Sequence, residues 1–132
     1  MTRYRPSIGF LGRFGRSPDL RQLDEALRVV DIHPSLVPEA VKITIVNLLK
    51  DRSGAGPAEP ACRAAAELVG YCMIGAEAFA GANGEPLGRE VERRIEAALE
   101  AGDSLDAQLV LLTLHAGVIQ PSVVERFGLS AS

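Results

Sequence analysis

Aromatic side chains are scarce in this chain, with four Phe, two Tyr and no Trp among 132 residues. A core must then be filled mainly by Ala, Leu and Val. Cysteine is scarcer still: Cys62 and Cys72 stand ten residues apart, about 280° around a helix at 100° per residue, so they face different ways. A disulfide framework is excluded on number, and no CxxC spacing offers a thiolate metal site. Two buried thiols in a reducing cytoplasm are expected. Long apolar runs are missing as well. The longest uncharged run, Ala107 to Val124, contains Gln108, Thr113, His115, Gln120 and Pro121, which reads as a buried helix and a turn rather than a membrane span. No Glu-x-x-His element occurs, so the usual di-metal signature of helical bundles is absent.

One further absence is local. The first sixteen residues, MTRYRPSIGFLGRFGR, hold no acid but carry three of the six aromatics and four of the fourteen basic residues. Net charge is −3 overall, yet residues 1–18 carry +4 while 57–102 carry −4 and 103–132 carry −2. A basic, aromatic arm thus precedes an acidic body. The apolar stretch Ile8 to Leu11 is interrupted by Gly9 and is too short for a signal peptide. Pro6 and three glycines oppose the amphipathic helix of a mitochondrial presequence.

The rest suits one helical domain, residues 17–132, long enough to bury roughly two-thirds of its unfolded surface. Ser17-Pro18-Asp19 is a helix start: an N-cap hydroxyl, proline at the first helical position and an acid at the positive dipole end. Leu20, Leu23, Leu27 and Val30 follow at helical spacing, with Arg21, Asp24, Glu25 and Arg28 expected to face solvent. A second helix is expected from Val37-Pro38-Glu39 to about Asp51, with a stripe of Val41, Ile45, Leu48 and Leu49. The β-branched run Ile43–Val46 has no partner strand elsewhere and reads as helix. Loop residues 51–60 lead to a third helix, Glu59 to Ala80, rich in Ala and Gly. Gly70 and Gly75 each cost ~1 kcal/mol there relative to Ala, so close approach of a neighbour is expected, with Ala66 and Gly70 at small-xxx-small spacing.

A fourth helix is expected from Pro86 to Gly102 with Val91, Ile95 and Leu99 inward and a Glu90–Arg94 pair on its solvent face. A fifth, capped by Asp103 or Ser104, is apolar nearly all round and is expected to be the most buried element. A sixth runs from Gln120-Pro121 to Gly128. The fold class is all-α, a bundle of five or six helices with an extended N-terminal arm, the third and fifth helices central.

Chemistry is thinly marked. Glycines 9, 12 and 15 lack both the phosphate-loop spacing and a preceding strand. The C-terminal pattern around Val123, Val124 and Gly128-Leu129-Ser130 matches only the first half of a helix-turn-helix reader; the recognition helix that DNA contact requires is missing. Glu67, Glu77 and His115 are the one polar set that facing helices could bring together around a metal. The competing expectation puts both glutamates on an exposed edge and His115 in the core on a backbone carbonyl. Cys72 has no basic neighbour in sequence to activate it. No catalytic, cofactor-binding or metal-ligating residue is assigned and no cofactor is expected.

The arm remains. Arg3, Arg5, Phe10, Leu11, Arg13, Phe14 and Arg16 are the candidate binding residues. Their acceptor is expected to be the chain's own body or a protein partner, a second copy included, because basic arm and acidic body attract. Nucleic acid follows, since arginines with interleaved aromatics suit phosphate contact and base stacking. An anionic membrane surface comes last. The function expected is protein–protein interaction with self-association, as a cytoplasmic accessory or regulatory protein. Nucleic-acid binding through the arm is the alternative, and a small helical enzyme or metal protein the third.

Overall fold

Seven α-helices and one 3₁₀ turn are present in the computed structural model, which describes residues 17–54 and 56–129, and no strand occurs among them. They are α1 (Pro18–Val29), the 3₁₀ turn (Pro34–Leu36), α2 (Glu39–Ser53), α3 (Glu59–Ile74), α4 (Ala76–Asn83), α5 (Glu85–Ala101), α6 (Leu105–His115) and α7 (Pro121–Phe127). The all-α class is as expected, and the count exceeds five or six because one expected helix is two. The arm, with Arg3, Arg5, Phe10, Leu11, Arg13, Phe14 and Arg16, lies outside the described residues.

α1 begins as its sequence dictates. Ser17 Oγ accepts from Leu20 N at 3.1 Å, Pro18 opens the first turn and Asp19 follows. Leu23 and Leu27 are fully buried. The break in the third predicted helix falls at Gly75, whose φ of 91° and ψ of 167° lie in a region that essentially glycine alone occupies. That break frees carbonyls at the end of α3. The backbone N–H of Gln120 takes the Cys72 carbonyl at 2.7 Å, tying the start of α7 to the break.

α3 is the centre of the bundle, packed by α1, α2, α4, α5 and α6. Its small residues admit that crowding. A Cβ on Gly70 would come within 3.2 Å of Ile32 and 3.6 Å of Phe79. The close neighbours are therefore the chain just beyond α1 and a side chain of α4, rather than another helix backbone. Tyr71, Phe79 and Phe127 form the aromatic heart, with edge-to-face ring centroids 5.7 Å apart for Tyr71–Phe79 and 6.3 Å for Tyr71–Phe127. Such pairs stabilise by about 0.5–1.5 kcal/mol beyond their area burial.

Several positions depart from their expected faces. α3, not the apolar helix 105–115, is the most buried element: α6 buries Ala107, Leu109, Val110 and Thr113 but leaves Leu111 43% exposed. Leu99, expected inward, is 46% exposed. The reason is the helical period, since Leu99 lies about 80° around the axis from Val91. Asp24, expected in solvent, is buried against Lys42, whose Nζ donates to Asp24 Oδ1 at 3.1 Å and to the Pro34 carbonyl at 3.2 Å. Glu90 pairs with Arg93 rather than Arg94. Arg94 instead grips Asp106 at the start of α6 through two bonds of 3.0 and 2.8 Å, the bidentate geometry that makes Arg–carboxylate pairs strong.

Candidate interaction surface

The polar set Glu67, Glu77 and His115 is not assembled. Glu67 is half-buried on α3 and engages Arg94 at 3.7 Å. Glu77 is exposed on α4, beyond the Gly75 break that turns it away from the α3 axis. His115, expected in the core, is exposed at the end of α6. Among the described residues no three His, Cys, Asp or Glu side chains are grouped as metal ligands.

Cys62 and Cys72 are free and buried. Burial raises the Cys62 thiol pKa, and the Asp19 and Glu59 carboxylates add to the rise. Burial pushes the Cys72 thiol up to about 11, against smaller lowering effects from Thr113 and Arg94. Neither sulfur is held as the thiolate that nucleophilic or metal chemistry requires. Tyr71 is also raised, by burial and then by its hydrogen bond to Glu92. Its hydroxyl donates to Glu92 Oε2 at 2.6 Å, and the same oxygen meets Arg126 at 3.2 Å. This network fastens α7 to α3 and α5. No helix is long and apolar enough to cross a membrane among the described residues.

The apolar surface is more distinctive. The end of α5, the length of α6 and the turn after α7 enclose a groove of about 220 Å³ lined by Ala98, Leu99, Gly102, Ala107, Val110, Leu111, Leu114, Gly128 and Leu129. No charged side chain lines it. Three features of local sequence build it. α5 stops at Gly102, which adopts φ 81°, and Ser104 Oγ restarts the chain by capping Ala107 N at 3.1 Å. α7 stops at Gly128, φ 65°, and the next residue's N–H returns to the Val124 carbonyl at 2.9 Å, which turns Leu129 towards the groove. Finally, α6 has Leu at both 111 and 114, more apolar surface than its inward face can hide.

Charged residues neighbour the lining residues along the chain. Glu96, Glu100 and Asp103 on and after α5, and Glu125 on α7, are all exposed. None of the four joins an ion pair among the described residues. The nearby cation Arg126 is engaged with Glu92. Arg52 donates to the Asp103 carbonyl at 3.2 Å and to Gln108 Oε1 at 2.8 Å, residues that follow the lining residues Gly102 and Ala107 in the chain.

Sequence reasoning did not single out this groove. The signals present were the 80° drift of Leu99 and the all-round apolarity of residues 105–114, which reads equally as deep burial. No family model, curated protein or solved structure matches the chain.

Proposed function

We propose that the protein acts by binding polypeptide, a second copy of itself included, through the apolar groove between α5, α6 and the α7 turn. The observation that carries this reading is the half-exposed pair Leu99 and Leu111, 46% and 43% accessible, on a groove with no charged lining. Exposed apolar side chains gathered on one face, rather than scattered singly, suit an interaction site. At about 220 Å³ the groove falls below the roughly 300–1,000 Å³ of small-molecule sites, and it has no convergent polar groups to orient a metabolite. Side chains of a polypeptide suit it better. The two buried free thiols agree with a reducing cytoplasm. The role proposed is that of an accessory or regulatory protein forming a homodimer.

Sedimentation of the full chain across micromolar concentrations tests this, alongside Leu99→Glu and Leu111→Glu. Both substitutions are at half-exposed positions and should lower stability by no more than ~1.5 kcal/mol, half of what a fully buried Leu contributes. They should leave helicity unchanged and convert an associating chain to a monomer. Association that is indifferent to both substitutions would rule out the groove as the binding face.

A further inference from the structure

We infer that two copies pair about a two-fold axis at Leu111, their α6 helices antiparallel, each seating its Leu111 in the other's groove. This deepens the reading of the groove as a polypeptide-binding face and rests on it. The outward side of α6 is free of charge. Its exposed residues, with those of the turn after it, are Gln108, Leu111, His115, Ala116 and Gly117. Asp106 on α6 is half-buried and taken up by Arg94 through two bonds. Gln108 and His115 stand about 60° and 40° from Leu111 around the axis, on the same side, so the three form one ridge beside the groove. A two-fold contact sets a surface against itself, and a charged surface would then meet its own sign. The α6 ridge escapes that repulsion.

The α5 rim does not, which fixes where the axis lies. Glu85 pairs with Arg89 and Glu90 with Arg93, while Glu96 and Glu100 beside Leu99 join no ion pair among the described residues. Both stand about 160° around the axis from the lining residue Ala98, on the outer side of Leu99. Copies meeting there would bring carboxylates against carboxylates. Room points to the same occupant. At about 220 Å³ the groove takes a large side chain, not a folded segment. Leu111 and Leu114 line their own groove and so cannot fill it, whereas the same ridge on a second copy can enter as a knob enters a hole. Among the described residues nothing would stand within 4 Å of a Cβ on Gly102, Gly117 or Gly128, so the approach is open.

Cysteine pairing in the full chain tests the geometry. Leu111 lies on the axis, so Leu111→Cys should join to its own copy on oxidation with diamide. His115 is four residues from the axis and Gln108 three. At about 1.5 Å per residue this separates them from their own copies by about 12 and 9 Å along the helix, beyond the ~7 Å that a disulfide spans. His115→Cys and Gln108→Cys should therefore cross-link poorly alone and well when mixed, since each then faces the other. Facing thiols should react ~10-fold or more faster than either exposed variant alone, read on non-reducing gels. Cys62 and Cys72 are buried, and wild type sets the baseline. Leu111→Glu should raise the dissociation constant ~100-fold, with far-UV circular dichroism and the urea midpoint confirming that it remains folded. Raising salt should leave association unchanged or tighten it, because no ion pair forms across the axis and the acidic rims are screened.

If Leu99→Glu and Leu111→Glu abolish association but the cysteine pattern is absent, the occupant is another segment; the two-fold pairing is overturned and the groove reading stands. A wild type that is monomeric at every concentration overturns the pairing alone. Association that survives both groove variants but is lost in Ile43→Glu places the contact on another uncharged outward face, Ala40, Ile43, Thr44 and Asn47 of α2, and overturns both.

Discussion

Replacing Lys42 by Met should destabilise the protein by about 3 kcal/mol, because it strips a buried carboxylate of its counter-ion. Lys42 and Asp24 are 4% and 7% exposed, with Nζ 3.1 Å from Asp24 Oδ1 and 3.5 Å from Glu39 Oε1. At an effective dielectric constant near 20, unit charges at that first separation attract by roughly 5 kcal/mol. Removing both ions from water offsets most of this, so the intact pair adds little net stability. Breaking it is different, because a buried charge is left without its counter-ion, at a cost of about 3–5 kcal/mol. The lower end applies. Asp24 keeps a further interaction, and the Pro34 carbonyl still accepts from Val37 N at 3.1 Å. A domain of this length is stable by roughly 7–20 kcal/mol, so the loss is substantial. At about 4 °C per kcal/mol the melting temperature should fall by ~12 °C. Urea unfolding followed by far-UV circular dichroism at neutral pH measures it. The double variant Asp24→Leu/Lys42→Met, which removes both charges, should return to within ~1 kcal/mol of wild type. A single-variant loss under ~1 kcal/mol, or a double variant as unstable as the two singles added, would refute the buried-pair reasoning.

Three other outcomes are expected. The Cys72 thiol rises from 9.0 to about 11 on folding, so above pH 9 the unfolded chain releases its proton before the folded one does; its contribution is complete below pH 9 and lost as pH rises to about 11. Over that interval wild type should lose about 2–3 kcal/mol more than Cys72→Ala does, measured by urea titration at successive pH values, and equal losses would show that the thiol is not desolvated. Gly75→Ala should destabilise by ~1–3 kcal/mol, since φ is 91° and the new Cβ would stand 3.2 Å from Gln120 Cγ. Gly81→Ala, in α4 with nothing within 4 Å of its Cβ, should instead stabilise by up to ~1 kcal/mol, and two effects of the same sign would contradict the difference between the sites.

Local chemistry explains what could be read in advance. Ser17-Pro18-Asp19, the loop before Glu59, the stop at Gly102 and the stop at Gly128 are caps and turns whose energetics sit within a few residues. They appear where the sequence places them. The helical reading of Ile43–Val46 also follows from local and compositional reasoning, because a strand with no partner leaves its backbone unpaired. Asp24 was misread because a charge on an amphipathic helix is assigned to solvent unless its partner is known, and Lys42 belongs to another helix. Glu67 and Glu77 both fall in the expected helix Glu59 to Ala80, but Gly75 turns the chain between them. Gly75 was noticed as costly, but whether a glycine admits a neighbour or breaks a helix depends on what packs beside it, here Gln120 and Ser122.

The amino-acid sequence by itself determined the all-α class, the helix starts and stops other than the break at Gly75, and the contrast between a basic, aromatic arm and an acidic body. These follow from period, capping and composition, which require no knowledge of distant contacts. Tertiary structure alone decided which apolar residues are surplus to the core. α3, crowded by small residues, takes the centre, and α6 packs against α2, α3 and α5 while leaving Leu111 outward. Leu99 stands beside it because a helix turns by 100° per residue and only one side of α5 can face the core. Burial depends on how the helices are arranged around one another, and that arrangement created a groove that no single segment encodes.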